Sequence, residues 1–280
     1  MTVLNDLLRP IFDWLQRPLE GLPPIVGVLI WSIPVGVFAL WVFGKTSNQE
    51  RIAQVKRRIH AGLFEIRLFN DDLRAIMRAQ GEILRHVVHY QALALKPMIF
   101  ILPPLVLVMV QLHQFYGFSG LRPGAATQLT VALDPDAVKP GLRPEVSLDL
   151  PPGLRAETEA IWAPALAEFS WRLAADESGE YDIQIVIDGV PYSKNVAVVD
   201  KVKRLSPERP SRGFVDQLEW PSEAPLEMET AVRSISVVYP EATMDLLGWS
   251  WQWSFAWMVV FFVLTMVVAL VLRKPMGVEL

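Results

Sequence analysis

The sequence predicts a membrane protein: an α-helical bundle of three spans with a cytoplasmic helical hairpin, joined to an all-β domain outside the membrane. Three observations carry that prediction. Residues 25–43, 98–118 and 251–272 are runs of 19, 21 and 22 residues without a charged side chain. At about 1.5 Å per helical residue each reaches roughly 30 Å, the thickness of a bilayer core. Charge is uneven between them: residues 45–96 hold ten Lys and Arg against five acids, whereas 119–250 hold 12 against 21. Residues 121–247 alternate polar and apolar positions between Pro and Gly turns, the pattern of strands.

Composition narrows the function. A mean hydropathy of +0.30 is high for a soluble protein. The chain has no cysteine, which excludes disulfides and thiolate metal sites. Its net charge of −4 argues against DNA as a partner. Lys and Arg concentrate in loops that stay in the cytoplasm. The segment 45–96 and the C-terminus, with Arg273 and Lys274, are therefore expected inside. The N-terminus and 119–250 are expected outside, and the membrane is expected to be a bacterial inner (cytoplasmic) one.

Residues 1–22 contain VLNDLLRPIFDWLQR, which sets Leu4, Leu7, Leu8, Ile11, Phe12 and Leu15 on one helical face and Asp6, Arg9, Asp13 and Arg17 away from it. This reads as an amphipathic helix in the outer interface, or one packed on the protein's own outer domain. Pro10 is expected to bend it. Residues 25–44 form the first span. The run starts too late and is too long for a signal peptide, and no clear small-residue cleavage site accompanies it.

Within 48–95, Ile52, Val55, Ile59, Gly62, Ile66, Phe69, Leu73, Ile76, Gln80, Ile83, Val87 and Tyr90 recur at alternating three- and four-residue steps. That is a coiled-coil seam. FNDDL interrupts it, and Asn70 or Asp71 is expected to cap a second helix. An antiparallel hairpin of 48–69 and 71–95 follows, with Lys56, Arg57, Arg58, Arg74 and Arg78 as its basic docking residues. His86 and His89 share a helix face, but a metal needs a further ligand. No metal and no cofactor is expected.

The second span covers 97–118, with Pro97 in its first turn, where no amide bond is lost. Pro103 and Pro104 lie deeper and are expected to kink or locally unwind the helix. Carbonyls freed in hydrocarbon need partners in protein or water. Gln111, His113 and Gln114 follow. With Ser32 in the first span and Ser254 and Thr265 in the third, they outline a mildly polar cleft; ordinary interhelical hydrogen bonding is the alternative. No span carries a central charge, which argues against a proton relay or an ion-coupled transporter.

Strands are expected at 127–133, 145–150, 167–173, 179–188, 194–200 and 233–242. Residues 203–229 read as an irregular loop or a partner-binding arm. The stretch ESGEYDIQIVIDG resembles the E–F corner of immunoglobulin-like sandwiches, with Tyr181 as the corner tyrosine. The third span covers 250–272, and Trp249, Trp251, Trp253 and Trp257 gather at its start. An outer aromatic belt explains the first three. Residues 273–280 form a cytoplasmic tail.

The order of parts resembles the YidC/Oxa-type membrane protein insertase superfamily, in particular its small three-span members. The marks are TSNQERIAQVKRRIHAGLFEIRLFNDDLRAIMRAQGEIL followed by LKPMIFILPPLVLVMVQL, with LRKPMGVEL at the end, about 150 of the 280 residues. The resemblance implies a non-enzymatic insertase or intramembrane chaperone. Its cleft would receive hydrophobic segments of membrane proteins, and its hairpin would meet clients or the ribosome. Two features differ: no basic residue lies inside a span, and the β-domain falls between spans two and three. These favour the alternative, a structural or assembly subunit with one fixed membrane-complex partner. Membrane lipids are partners in either case. No nucleophile–base set or phosphate loop points to catalysis.

Overall fold

The computed structural model describes all 280 residues except 70, 139–141, 212, 228–229, 247 and 280. Helices come first: α1 (Thr2–Gln16), α2 (Pro24–Thr46), α3 (Gln49–Leu68) and α4 (Leu73–Tyr116). Strands follow: β1 (Ala126–Leu133), β2 (Val146–Asp149), β3 (Leu154–Ala156), β4 (Ile161–Ala163), β5 (Glu168–Ala175), β6 (Gly179–Ile187), β7 (Val190–Val198) and β8 (Glu208–Arg209). The short helix α5 (Phe214–Glu219), then β9 (Val232–Val237), β10 (Thr243–Leu246), β11 (Trp249–Gln252) and α6 (Ala256–Leu272) complete the chain. It divides into two units, Met1–Val28 with Leu107–Val259, and Leu29–Val106 with Val260–Leu280.

In the second of these, α3 and the first half of α4 form an antiparallel hairpin. Asn48 caps α3, its side chain accepting the Arg51 N–H at 3.0 Å. Asp72 caps α4, accepting from Arg74 N at 2.9 Å and Ala75 N at 3.2 Å. The cap is thus neither of the two residues expected; Asn70 lies outside the described residues. Gly62 lets the helices approach closely: a Cβ there would lie 2.6 Å from Ile83 Cγ1. Ile52, Val55 and Ala79 are buried in this seam, whereas Gln80, Phe69 and Leu73, placed there by periodicity, are exposed.

The largest correction concerns α4. Its 44 residues run unbroken through Pro97, Pro103 and Pro104, about 66 Å of helix. Pro97 is therefore mid-helix rather than in a first turn, and the local unwinding expected at Pro103 and Pro104 is absent. A proline removes one amide bond without ending a helix that neighbouring turns hold in place. Two helices, α2 and α4, are long and apolar enough to cross a membrane. The third apolar helix, α6, has 17 residues, about 25 Å, because Trp249–Gln252 pair as a strand instead of extending it. Gly36 of α2 lets α6 come close: a Cβ there would lie 2.9 Å from Val268 Cγ1 and 3.2 Å from the Thr265 carbonyl.

The other unit is built on antiparallel sheets. One has the order β3-β5-β1-β9-β8, with β4 also on β5; another has the order β2-β6-β7. Both contribute to one core. Leu129, Val131, Phe169 and Leu173 come from the first sheet and Ile183, Ile185, Val196 and Val198 from the second, all without exposed surface except at most a trace. Alternation along each strand produces this: β6 buries Ile183, Ile185 and Ile187 and turns Asp182, Gln184 and Val186 away from the core. The six strands expected from alternation are present; β3, β4, β8, β10 and β11 are additional. The β10–β11 hairpin stands apart from both sheets.

Helix α1 packs on this unit through a largely polar face, and much of the apolar face named above stays exposed. Asn5, Phe12 and Gln16 are its buried residues. Val3, Leu7, Ile11 and Trp14 point away, exposed by 84%, 60%, 45% and 68%. The polar face faces protein because it has partners there: Thr2 Oγ1 donates to Gln217 Oε1 at 2.8 Å, and Asn5 Nδ2 to the Gln217 carbonyl at 2.7 Å.

Candidate functional site

The C-terminal turns of α4 carry the polar residues that suggested a cleft. Each has a protein partner. Gln111 Oε1 accepts from Arg204 Nη1 at 2.9 Å. Gln114 Nε2 donates to the Glu219 carbonyl at 3.2 Å, and its Oε1 accepts from Ser222 Oγ at 3.2 Å. The Gln114 carbonyl accepts the Leu205 N–H at 2.8 Å. His113 Nδ1 accepts from Trp257 Nε1 at 3.2 Å, and its ring stacks on Phe255 at 5.0 Å. Tyr116 and Gln16 are hydrogen-bonded at 2.8 Å, which ties α1 to the same end of α4. Ser254 is buried in the turn before α6. Gln111, His113, Gln114 and Ser254 thus share one unit.

Ser32 and Thr265 belong to the other unit. The Ser32 hydroxyl donates to its own helix, at the Leu29 carbonyl, 2.8 Å away. Thr265 Oγ1 is buried without a hydrogen-bond partner among the described residues. Of the basic docking residues, Arg57, Arg58, Arg74 and Arg78 are exposed. Lys56 is partly engaged, 3.6 Å from Glu279 Oε2 and 5.9 Å from the centre of the Tyr90 ring.

A different feature of α4 escaped the periodicity argument. Leu73, Met77, Leu84, Val88 and Leu95 lie on one line of the helix, turned away from the seam, and are exposed by 71%, 61%, 65%, 62% and 58%. The other positions on that line are Gln80, Gly81 and Gln91, all uncharged. The charged residues Arg74, Arg78, Glu82 and Arg85 lie on the remaining face. Two apolar stripes on one helix, only one of them packed, blur into a single seam when read as a heptad pattern.

The segment 203–229 was expected to be an irregular loop or a partner-binding arm. It is largely irregular but fastened to its own domain. Lys194 of β7 is fully buried, and its ammonium donates to the Ser206 carbonyl at 2.5 Å, Ser206 Oγ at 3.0 Å and Glu223 Oε1 at 2.5 Å. Burial pushes the lysine pKa down, against the opposing pull of the Glu223 carboxylate. A Ser–Lys pair at this distance is the geometry of a nucleophile and its base. A base must be neutral, whereas Lys194 is paired with a carboxylate. The arrangement works as a clamp. Arg204 forms a second one: its Nε donates to Asp13 Oδ1 at 2.7 Å, and its guanidinium lies 4.6 Å from the Phe115 ring centre.

Among the described residues no group of three or more His, Asp or Glu is placed to hold a metal ion. The chain matches no protein-family model, and a search of curated proteins finds no match.

Proposed function

We propose that the protein is a three-span membrane protein of the insertase or chaperone type, whose hairpin holds apolar segments of other membrane proteins. The observation that carries this reading is the exposed, uncharged stripe on α4. Leaving five large apolar side chains in water is unfavourable by roughly 25 cal/mol per Å², so such a patch marks a surface meant to be covered. A client helix could lay its own apolar face along it. The basic residues Arg57, Arg58, Arg74 and Arg78 would put this hairpin in the cytoplasm, where new membrane proteins emerge. Only 11% of the apolar window of α4 is buried within the protein, which supports lipid rather than a soluble core as its surroundings. The N-terminus and the β-domain would then lie outside.

An immunoglobulin-like reading of that domain is supported by strand order. The sequence β3-β5-β1-β9 beside β2-β6-β7 parallels the D-E-B-A and C-F-G sheets, with β9 in the place of the first strand. Tyr181, near the start of β6, donates its hydroxyl to the Glu177 carbonyl at 2.9 Å, the contact of a tyrosine corner.

A second reading, a fixed subunit of one membrane complex, is favoured by the inward bonding of Gln111, His113 and Gln114, which leaves less polar lining for passing clients. Photocrosslinking probes at Met77 and Leu84, read by mass spectrometry, test both. Many hydrophobic nascent proteins are expected if the first reading holds. One stoichiometric partner would replace it with the second, and no crosslink at either position would sink both.

A further inference from the structure

Between α1, the outer end of α4 and the segment after β7 lies a polar cavity of about 310 Å³. Its lining includes Arg17, Lys203, Arg204, Ser206 and Ser222. Four carboxylates also line it, and each has a cation: Asp13 pairs with Arg204, Glu20 with Lys201, Glu180 with Lys203 and Glu223 with Lys194. Once these pairs are made, the remaining charge is positive. Arg17 is exposed and forms no ion pair among the described residues. Arg204 is nine-tenths buried, at 10% exposure, and uses Nε and Nη1 on Asp13 and Gln111. Its Nη2 is buried with no hydrogen-bond partner among the described residues.

A buried guanidinium donor left unbonded is unfavourable. The group that would satisfy it must be an acceptor, and the free charge of Arg17 selects an anion. We propose that this cavity binds a phosphate group, held by the free donor of Arg204 and by Arg17. Arginine forks suit the several acceptor oxygens of a phosphate. The site's position favours the headgroup of a phospholipid as its source. Asp13 comes from α1 and Arg17 directly follows that helix, whose opposite face carries the exposed Val3, Leu7, Ile11 and Trp14. A helix lying in an interface on such a face holds its polar side at the depth of the headgroups. The inference goes beyond the proposed function: it does not depend on what the hairpin holds.

The test uses the full chain in a nonionic detergent, titrated with dioctanoyl phosphatidylglycerol and, separately, with inorganic phosphate, and read by native mass spectrometry and thermophoresis. Arg17→Gln breaks no ion pair among the described residues and should leave the fold intact. Arg204→Lys keeps the charge opposite Asp13 but removes the fork. One lipid bound per chain is expected, weakened at least tenfold by either substitution. Binding of the lipid alone assigns the site to a headgroup. Equal binding of inorganic phosphate, with the same loss in both variants, keeps the phosphate site but assigns it to a soluble anion. Absence of binding by both probes, or binding unchanged in both variants, overturns the proposal.

Discussion

Removing the carboxylate of Glu223 tests how the segment after β7 is held. Lys194 has no exposed surface, and Glu223 is the one anion bonded to its ammonium among the described residues. In Glu223→Ala the folded chain must either bury an uncompensated charge or release the proton. Release sets the ceiling. Holding a lysine of ordinary pKa 10.5 neutral at pH 7 costs about 5 kcal/mol, at about 1.36 kcal/mol per pH unit. Loss of one partner of a buried pair is measured at about 3–5 kcal/mol elsewhere, which agrees. The sign of the pH dependence follows. Below pH 10.5 the unfolded variant binds the proton that the folded one has lost, so its stability rises with pH. The defect should shrink from at most about 5 kcal/mol at pH 7 to about 2 at pH 9. Urea unfolding of the full chain in micelles, read by pulse proteolysis at both pH values, measures it. Adding Lys194→Met should restore much of the loss, because an apolar pair of similar shape is tolerated. A defect below about 1 kcal/mol, or one that does not change with pH, would refute the clamp.

Two further substitutions and a labelling experiment probe separate joints. Tyr181→Phe removes the hydroxyl bond to Glu177 and should lower the stability of the β-domain by about 1 kcal/mol in the same assay. Gly36→Leu forces a side chain against Val268 and Thr265 and should destabilise the packing of α2 on α6 by about 1–3 kcal/mol, seen as a lower Tm in micelles. In liposomes, nitroxides at Leu7 or Ile11 should be more accessible to oxygen than to a water-soluble nickel chelate, and one at Asp6 should show the reverse; equal accessibility at all three would put α1 outside the interface.

The β-domain was the most legible part of the sequence, because a half-buried strand writes its burial directly as alternation. Val131, Phe169, Ile183 and Ile185 are at core positions for that reason. WSWQ also alternates, but all four residues of β11 are exposed, so that alternation records no burial, and beside a long uncharged run it reads as the start of a span. Pro97 misled in the opposite direction. It marks a probable helix boundary locally, yet the hairpin and the span are one helix, and continuity on both sides outweighs one lost bond. Of the buried face of α1 only Phe12 stood out as apolar. Asn5 and Gln16 are buried because Gln217 and Tyr116 receive them, 212 and 100 residues away. Arg204 meets Gln111 across 93 residues, and no local pattern announces such a pair.

The question left by the candidate cleft comes down to one hydroxyl. Gln111, His113 and Gln114 are engaged with protein and Ser32 with its own helix, so their polarity has a sufficient structural cause. Thr265 does not: its Oγ1 is buried and unbonded among the described residues. An unmet hydroxyl costs about 1–3 kcal/mol, and valine has nearly the same shape without that cost. Thr265→Val is therefore expected to leave the Tm unchanged or raise it. Stability alone does not reveal why a polar atom stands there. If the hydroxyl serves a client or a partner helix, the same variant should reduce the crosslinks formed from a probe at Met266, exposed beside it on α6, while the chain becomes no less stable. Unchanged crosslinks together with a higher Tm would mean that Thr265 serves no client and that the spans pack as an ordinary bundle. A lower Tm would mean that the hydroxyl is bonded within the protein and that the reasoning about its isolation fails.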